Sequence, residues 1–140
     1  MTNIAKARAV IEEARLAGVR EMCVCSGSRN APLLAVLSRS DLKLWTFVDE
    51  RSAAFFAIGR MKLTGQPVAV VTTSGTAAAE LLPALVEAHY SGLPLFVITA
   101  DRPARFRGTG APQSIEQVNL FGVYGTRHIN VEFDEPLIDE

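Results

Sequence analysis

Glu50 is the residue whose setting most invites proton chemistry. It stands between Val48–Asp49 and the apolar Ala53–Ala54–Phe55–Phe56, where a segment of β-formers hands over to a helical one. A carboxyl partly enclosed by such neighbours is harder to ionise. One held near neutrality can donate or accept a proton at working pH. The same position also suits an acid held at a helix N-terminus by the helix dipole, and position alone leaves both roles open.

Three other segments could bind ligands. Gly27–Ser28–Arg29 combines a tight turn, helix amides and a guanidinium, the makings of an anion site or of an ordinary turn with a surface arginine. In Thr73–Ser74–Gly75–Thr76, Gly75 would let a ligand approach the backbone closely. This run is neither a lysine-bearing phosphate loop nor a dinucleotide fingerprint, and a helix cap by Ser74 explains it equally well. The stretch Asp101–Gln113 carries Arg102, Arg105, Arg107 and Gln113, suited to recognising carboxylates or simply to solvation. His89 and His128 have no nucleophile or base to pair with and read as structural. Trp45, Phe47, Phe55 and Phe56 read as core. Cys23 and Cys25, two apart on one strand, read as small buried hydrophobes on one face, poorly placed for a mutual disulfide, and no Cys/His cluster accompanies them to hold a metal.

These residues need a scaffold, and the pattern supplies an alternation of helices and strands. Thr2 caps a helix carrying Ile4, Ala7, Ile11 and Ala14, stopped by Gly18. Strands are expected at Glu21–Ser26, Leu42–Val48, Val68–Thr73 and Leu95–Thr99. Pro32 opens a helix running to about Ser40. Asp49 caps Arg51–Leu63, with Gly65 as its stop. Ala77–Tyr90 reads as one long helix kinked at Pro83. Ser114–Leu120 reads as a short helix, and a further strand is expected near Arg127–Phe133. Short apolar strands separated by helices imply an α/β fold, a three-layer parallel sheet with helices on both faces. In such sheets ligands bind beyond the carboxyl ends of the strands. That rule selects Gly27–Arg29, Asp49–Arg51, Thr73–Thr76 and Thr99–Arg102.

Composition narrows the function classes. The 140 residues fit one domain, and 49% apolar content allows a sizeable core. Fourteen basic and fifteen acidic residues, net charge −1, give no footprint for nucleic acid or an anionic membrane. No secretory signal opens the chain and no apolar run approaches the ~20 residues of a membrane span, so a soluble, cytoplasmic protein is expected.

Three runs occur in a telling order: GSRNAPL (Gly27–Leu33), DERSAAFFAIGRMKLTGQPVAVVTTSGTAAAELLPALVEAHYSGLPLFVITADRP (Asp49–Pro103) and RGTGAPQSIEQVNLFG (Arg107–Gly122). Asp-Glu-Arg-Ser with Thr-Ser-Gly-Thr-Ala-Ala-Ala resembles the thiamine-diphosphate enzyme superfamily. The Gly-Ser-Arg, Ala-Asp-Arg-Pro and Gly-Ala-x-Gln segments resemble, within it, the 2-succinyl-5-enolpyruvyl-6-hydroxy-3-cyclohexene-1-carboxylate synthases of menaquinone biosynthesis. The resemblance implies a pyrimidine-binding (PYR) domain over 1–133 and the start of an interdomain linker over 134–140, the middle and diphosphate-binding domains being absent. It places Glu50 on the glutamate that hydrogen-bonds N1′ of the cofactor's aminopyrimidine. That bond favours the imino tautomer, which takes the proton from the thiazolium C2. Thr73, Ser74 and Gly75 would line the pyrimidine pocket, mainly through backbone.

By the same resemblance, Ser28, Arg29, Arg107 and Gln113 would contact 2-oxoglutarate and isochorismate, both dicarboxylates. The implied activity is a transferase: 2-oxoglutarate is decarboxylated and its succinyl carbanion added to isochorismate. Mg2+ (or Mn2+) would bind through the diphosphate domain, since no Gly-Asp-Gly segment with downstream asparagines is present. That domain would come from a second subunit, so a homodimer or tetramer is expected, and the lone chain is expected to be inactive. Ser26 and Pro112 depart from the family's usual proline and asparagine at these places. Two other readings stay open: a PYR-type subunit of another 2-oxo-acid decarboxylase or synthase, and a non-enzymatic anion-binding or dimerisation module.

Overall fold

The computed structural model describes residues 1–125 and Phe133. Four parallel strands form one sheet: β1 (Glu21–Cys25), β2 (Lys43–Phe47), β3 (Val68–Thr72) and β4 (Leu95–Thr99), in the order β2-β1-β3-β4. In β1, Met22 pairs with Leu44 on one side and with Ala69 on the other, and in β3 Val70 pairs with Val97. Helices α1 (Asn3–Leu16), α2 (Ala31–Leu37), α3 (Glu50–Thr64), α4 (Thr76–Ala79) and α5 (Leu82–Tyr90) supply the outer layers, with 3-10 turns η1 (Ala104–Phe106) and η2 (Gly122–Tyr124) following.

The alternation of side chains along the strands builds two cores. Met22, Val24, Ala69 and Val71 meet Ala7, Ile11 and Ala14 of α1 and Leu33 and Leu37 of α2 on one face. Cys23, Cys25, Val68 and Val70 meet Ala53, Ala54, Ala57, Ile58 and Met61 of α3, with Leu81 and Ala84, on the other. The chain moves from β1 outward to β2, then doubles back across β1 to β3. Right-handed crossovers require α2 on one face and α3 and α5 on the other. The three-layer α/β architecture expected from the sequence is thus present.

The local signals account for most boundaries. Thr2 Oγ1 accepts the Ala5 amide at 3.2 Å and starts α1, although Asn3 is buried where Ile4 is only half-buried. Asp49 Oδ1 accepts the Ser52 amide at 2.7 Å at the head of α3, and Gly65, at φ 68°, closes it. Helix α2 ends at Leu37, short of Ser40, where the Ser38 and Ser40 hydroxyls donate to the Ala35 and Leu37 carbonyls.

Three expectations fail. Phe55, read as core, is exposed, because Ala53, Ala54, Ala57, Ile58 and Met61 take the buried side of α3. The long helix over 77–90 is two helices, broken at Glu80–Leu81. Pro83, lacking an amide hydrogen, takes a place in the first turn of a new helix instead of kinking an old one. The short helix at Ser114–Leu120 does not form. This stretch is irregular and then turned, entered through Gln113 at φ 54° and left through Asn119 at φ 58°. Both residues adopt left-handed conformations that cannot continue a helix. The strand expected near Arg127–Phe133, His128 and the linker 134–140 lie outside the described residues, apart from Phe133, which packs against the α1–α2 core. Among the described residues, no helix is long and apolar enough to cross a membrane.

The amino ends of the strands are locked by charge. Glu21 accepts from Arg60 Nη2 at 2.7 Å and Nε at 2.9 Å, and from Trp45 Nε1 at 2.8 Å. Trp45 and Phe47 also pack against the Phe56 ring. The Arg60 hydrogen bonds, opposed by burial and helped by Trp45, hold the Glu21 carboxyl down at about 2. A carboxyl depressed by folding stabilises the fold above its unfolded value of 4.5, and that contribution is lost as pH falls toward about 2. With allowance for the water that reaches the rim of the pair, the contribution is about 1–2 kcal/mol. Urea unfolding of the chain between these pH values should show that loss. Glu21→Gln should be less stable at neutral pH and should flatten the acid limb; an unchanged acid limb would show that the pair contributes nothing.

Candidate functional site

In this strand order the chain leaves β1 toward β2 and leaves β3 in the opposite direction, toward β4, so the carboxyl ends of β1 and β3 form the topological switch point where open α/β sheets bind ligands. The contact there is tight. A Cβ on Gly27 would lie 2.5 Å from Thr73 Cβ and 2.8 Å from Thr73 Oγ1, so only glycine lets the turn after β1 rest against β3. Asn30, fully buried, holds that turn: its Oδ1 accepts the Gly27 amide and its Nδ2 donates to the Cys25 carbonyl, both at 2.9 Å. The turn therefore projects Ser28 outward, exposed, and Arg29 inward, buried.

Glu50 occupies the first turn of α3 directly beyond β2 and is half-buried. Its neighbour Asp49 is the cap, and the Ser52 hydrogen bonds hold Asp49 below the usual carboxylate range. Cap and candidate base are thus separate residues, so the capping role does not consume Glu50. Among the described residues, the Glu50 carboxylate makes no hydrogen bond or ion pair. It lies close to the β1 end: burial, then the charges of Glu50 and Asp49, push the Cys25 thiol up to about 11. Cys23 is pushed up to about 12, chiefly by burial. Both cysteines are buried and free, and both stay protonated at neutral pH.

Thr73, Ser74 and Gly75 are buried at the end of β3. Thr73 Oγ1 is enclosed and has no hydrogen-bond partner, which is costly unless something else satisfies it. The space left by the missing Cβ of Gly75 is used by this chain's own loop: a Cβ there would sit 3.1 Å from Gln113 Cα and O. Ser74 Oγ donates to the Gln113 carbonyl at 2.9 Å, so the segment after β4 is clipped onto the β3 turn. Gln113 itself is exposed beside that clip. Arg107 is part-buried, its Nη2 3.4 Å from Asp101 Oδ2, while Asp101 Oδ1 accepts the Arg102 amide at 2.7 Å. The Nε atoms of Arg102 and Arg107 are buried without partners.

The candidate residues thus fall on the four strand ends of one sheet edge. Ser28 and Arg29 adjoin Thr73 through Gly27, Gln113 joins Ser74, and Arg107 follows β4. Glu50 is linked to this group through the end of β1. Sequence reasoning missed Asn30 and Gln117, both buried polar residues that tie the turns together. Asn30 could be found as an amide beside a glycine turn. Gln117 was hidden because Ser114-x-x-Gln117 has the form of a capping box, whereas Ser114 Oγ in fact donates to the Phe106 carbonyl at 3.3 Å. Among the described residues, no group of three or more His, Cys, Asp or Glu side chains is placed to hold a metal ion.

Comparison with known proteins adds an independent line. The family described as "Thiamine pyrophosphate enzyme, N-terminal TPP binding domain" matches residues 5–120. Proteins named 2-succinyl-5-enolpyruvyl-6-hydroxy-3-cyclohexene-1-carboxylate synthase are similar to this chain. That of Bdellovibrio bacteriovorus is 48% identical over 99% of the chain and 31% of the relative. That of Akkermansia muciniphila is 55% identical over 95% of the chain and 25% of the relative, and that of Halobacterium salinarum 54% identical over 86% and 21%. The chain therefore spans a third or less of the length of these relatives.

The Gly27–Thr73 contact makes a direct prediction. Gly27→Ala should cost about 1–3 kcal/mol by overpacking, read as a lowered urea midpoint at unchanged slope. Adding Thr73→Gly should recover part of the loss, because it removes the atoms a new Cβ would strike; a Gly27→Ala chain as stable as the parent would refute the contact.

Proposed function

Because the chain belongs to the family of thiamine pyrophosphate enzyme N-terminal TPP-binding domains, we propose that it supplies the pyrimidine-binding half of the active site of a 2-succinyl-5-enolpyruvyl-6-hydroxy-3-cyclohexene-1-carboxylate synthase. The observation that carries the reading is Glu50: a half-buried carboxylate at the sheet's ligand-binding edge, without a protein partner among the described residues.

The residues present fit an aminopyrimidine. Such a ring offers donors and acceptors around an apolar body. The site offers the half-buried carboxylate of Glu50, without a protein partner among the described residues, whereas the Thr73 hydroxyl is enclosed against the Gly27 backbone. When bound, thiamine diphosphate supplies the carbanion chemistry that decarboxylates a 2-oxo acid, with the protein tuning its electronics. Glu50 would hold a proton between its carboxyl and the ring nitrogen N1′. Thr73, Ser74 and Gly75 would bound the ring and orient it toward Glu50.

Ser28, Arg29, Arg107 and Gln113 are the residues we assign to the substrates, 2-oxoglutarate and isochorismate. Guanidinium forks suit dicarboxylates, and the arginines flank the cofactor turn on either side. Mg2+ or Mn2+ and the diphosphate would be held by a diphosphate-binding domain of a second subunit in a homo-oligomer. The apolar side chains Val48, Phe55 and Leu63, exposed beside and along α3, give such a partner something to cover.

In the complete synthase that carries this domain, Glu50→Gln should retain thiamine diphosphate but lose about 100-fold or more in turnover. The exchange of the cofactor's C2 hydrogen for deuterium should slow in parallel, measured by quenched-flow NMR. Near-normal turnover of that variant would sink the reading. Isothermal titration of the 140-residue chain alone with thiamine diphosphate and Mg2+ should show no tight site; micromolar binding would mean the pyrimidine half suffices by itself.

A further inference from the structure

A closed ring of hydrogen bonds surrounds the two residues that follow β3. The Ala100 amide donates to the Thr72 carbonyl at 3.0 Å. The Ala100 carbonyl accepts from Gln117 Nε2 at 2.8 Å, and Gln117 Oε1 accepts the Gly75 amide at 2.9 Å. The backbone from Gly75 back to Thr72 completes the circuit and contains only Thr73 and Ser74. Gln117 Nε2 also lies 3.4 Å from Thr99 Oγ1, and Gln117 is 9% exposed.

Gly75 needs this support. Its φ of 79° and ψ of −136° belong to a region that residues with a Cβ scarcely enter. Its amide starts a helix of only four residues, so no preceding helical carbonyl can accept it. A buried amide left without a partner is costly. One neutral side chain answers both needs of the site, a donor toward Ala100 and an acceptor toward Gly75, and a primary amide is the group that offers both. This pairing also fixes which amide atom is oxygen.

We propose that Gln117 is a positioning residue for the cofactor: it locks Thr73 and Ser74 in place and couples them to the segment bearing Arg107 and Gln113. The inference rests on the thiamine-diphosphate reading above. It gives the irregular segment after β4 a second task besides facing substrate, because the same stretch holds the turn that would bound the pyrimidine.

The test uses the complete synthase that carries this domain, with the half-saturating concentration of thiamine diphosphate and the melting temperature measured side by side. Gln117→Met keeps the length and removes both hydrogen bonds. It should raise half-saturation about tenfold or more and lower turnover at saturating cofactor by a smaller factor. Glu21→Gln, at the opposite end of the strands, should lower the melting temperature and leave half-saturation unchanged. Gln117→Glu keeps an acceptor for Gly75 but turns a carboxylate toward the Ala100 carbonyl. Its half-saturation, taken as a ratio to the parent, should approach one as pH falls from about 8 to about 6, because protonation restores the missing donor. This titration reports within one folded protein even if Gln117→Met does not fold.

The proposal is overturned if Gln117→Met loses stability yet binds cofactor within about twofold of the parent, or if the Gln117→Glu ratio ignores pH. If Glu50→Gln abolishes turnover while the Gln117 variants bind normally, only this inference fails. If Glu50→Gln is without effect, the functional reading itself fails.

Discussion

The space between Gly27 and Thr73 decides how this domain is built at its working edge. Strands β1 and β3 are neighbours in the sheet, but the chain leaves them in different directions. Such a divergence ordinarily leaves a crevice. Here the junction of the two turns is closed by a backbone resting on a threonine side chain, with no room for even a methyl group. Everything above it inherits that registry. The Asn30 side chain fixes the β1 turn that carries Ser28 and Arg29. A looser junction would leave the two turns free to move against each other, and a site assembled from both would lose its geometry.

The two ends of the sheet are treated differently. At the amino ends, Glu21, Arg60 and Trp45 satisfy one another, and Lys43 adds a cation 4.4 Å from the Trp45 ring centroid. At the carboxyl ends, polar atoms are left wanting: Thr73 Oγ1 and the Nε atoms of Arg102 and Arg107 are buried without partners. Burial of an unsatisfied polar group opposes folding. The domain can bear that cost because each face of the sheet has its own apolar core and the Glu21–Arg60–Trp45 group is well paired.

Much of this was legible from sequence. Four apolar segments with the right lengths gave the strands, and Thr2, Asp49 and Gly65 gave helix ends, because each of these signals is local. The strand-end rule then located the candidate residues without any knowledge of pairing. What was not legible depended on distant partners. Pro83 could mark a kink or a new start, and only the packing of Leu81 and Ala84 under α3 selects the latter. Ser114–Gln117 has the local form of a helix start, yet its polar side chains are spent on Phe106, Gly75 and Ala100. The sequence separation is 42 residues for the Gly75 contact, beyond the reach of any periodicity argument.

That failure has a physical meaning. A capping box satisfies amides of its own segment, whereas here the glutamine satisfies an amide of another. The segment gives up helical hydrogen bonds of its own, and the β3 turn gains a partner it could not obtain locally, because an amide at a helix N-terminus has no preceding helical carbonyl to donate to. Local preference and tertiary need conflict most often at functional sites. The conflict at Gln117 lies at the same turn as the unsatisfied Thr73 hydroxyl and one strand end away from the Glu50–Cys25 neighbourhood. Two independent departures from ordinary folding economy, an orphaned hydroxyl and a helix forgone, therefore converge on the few residues between Thr72 and Gly75.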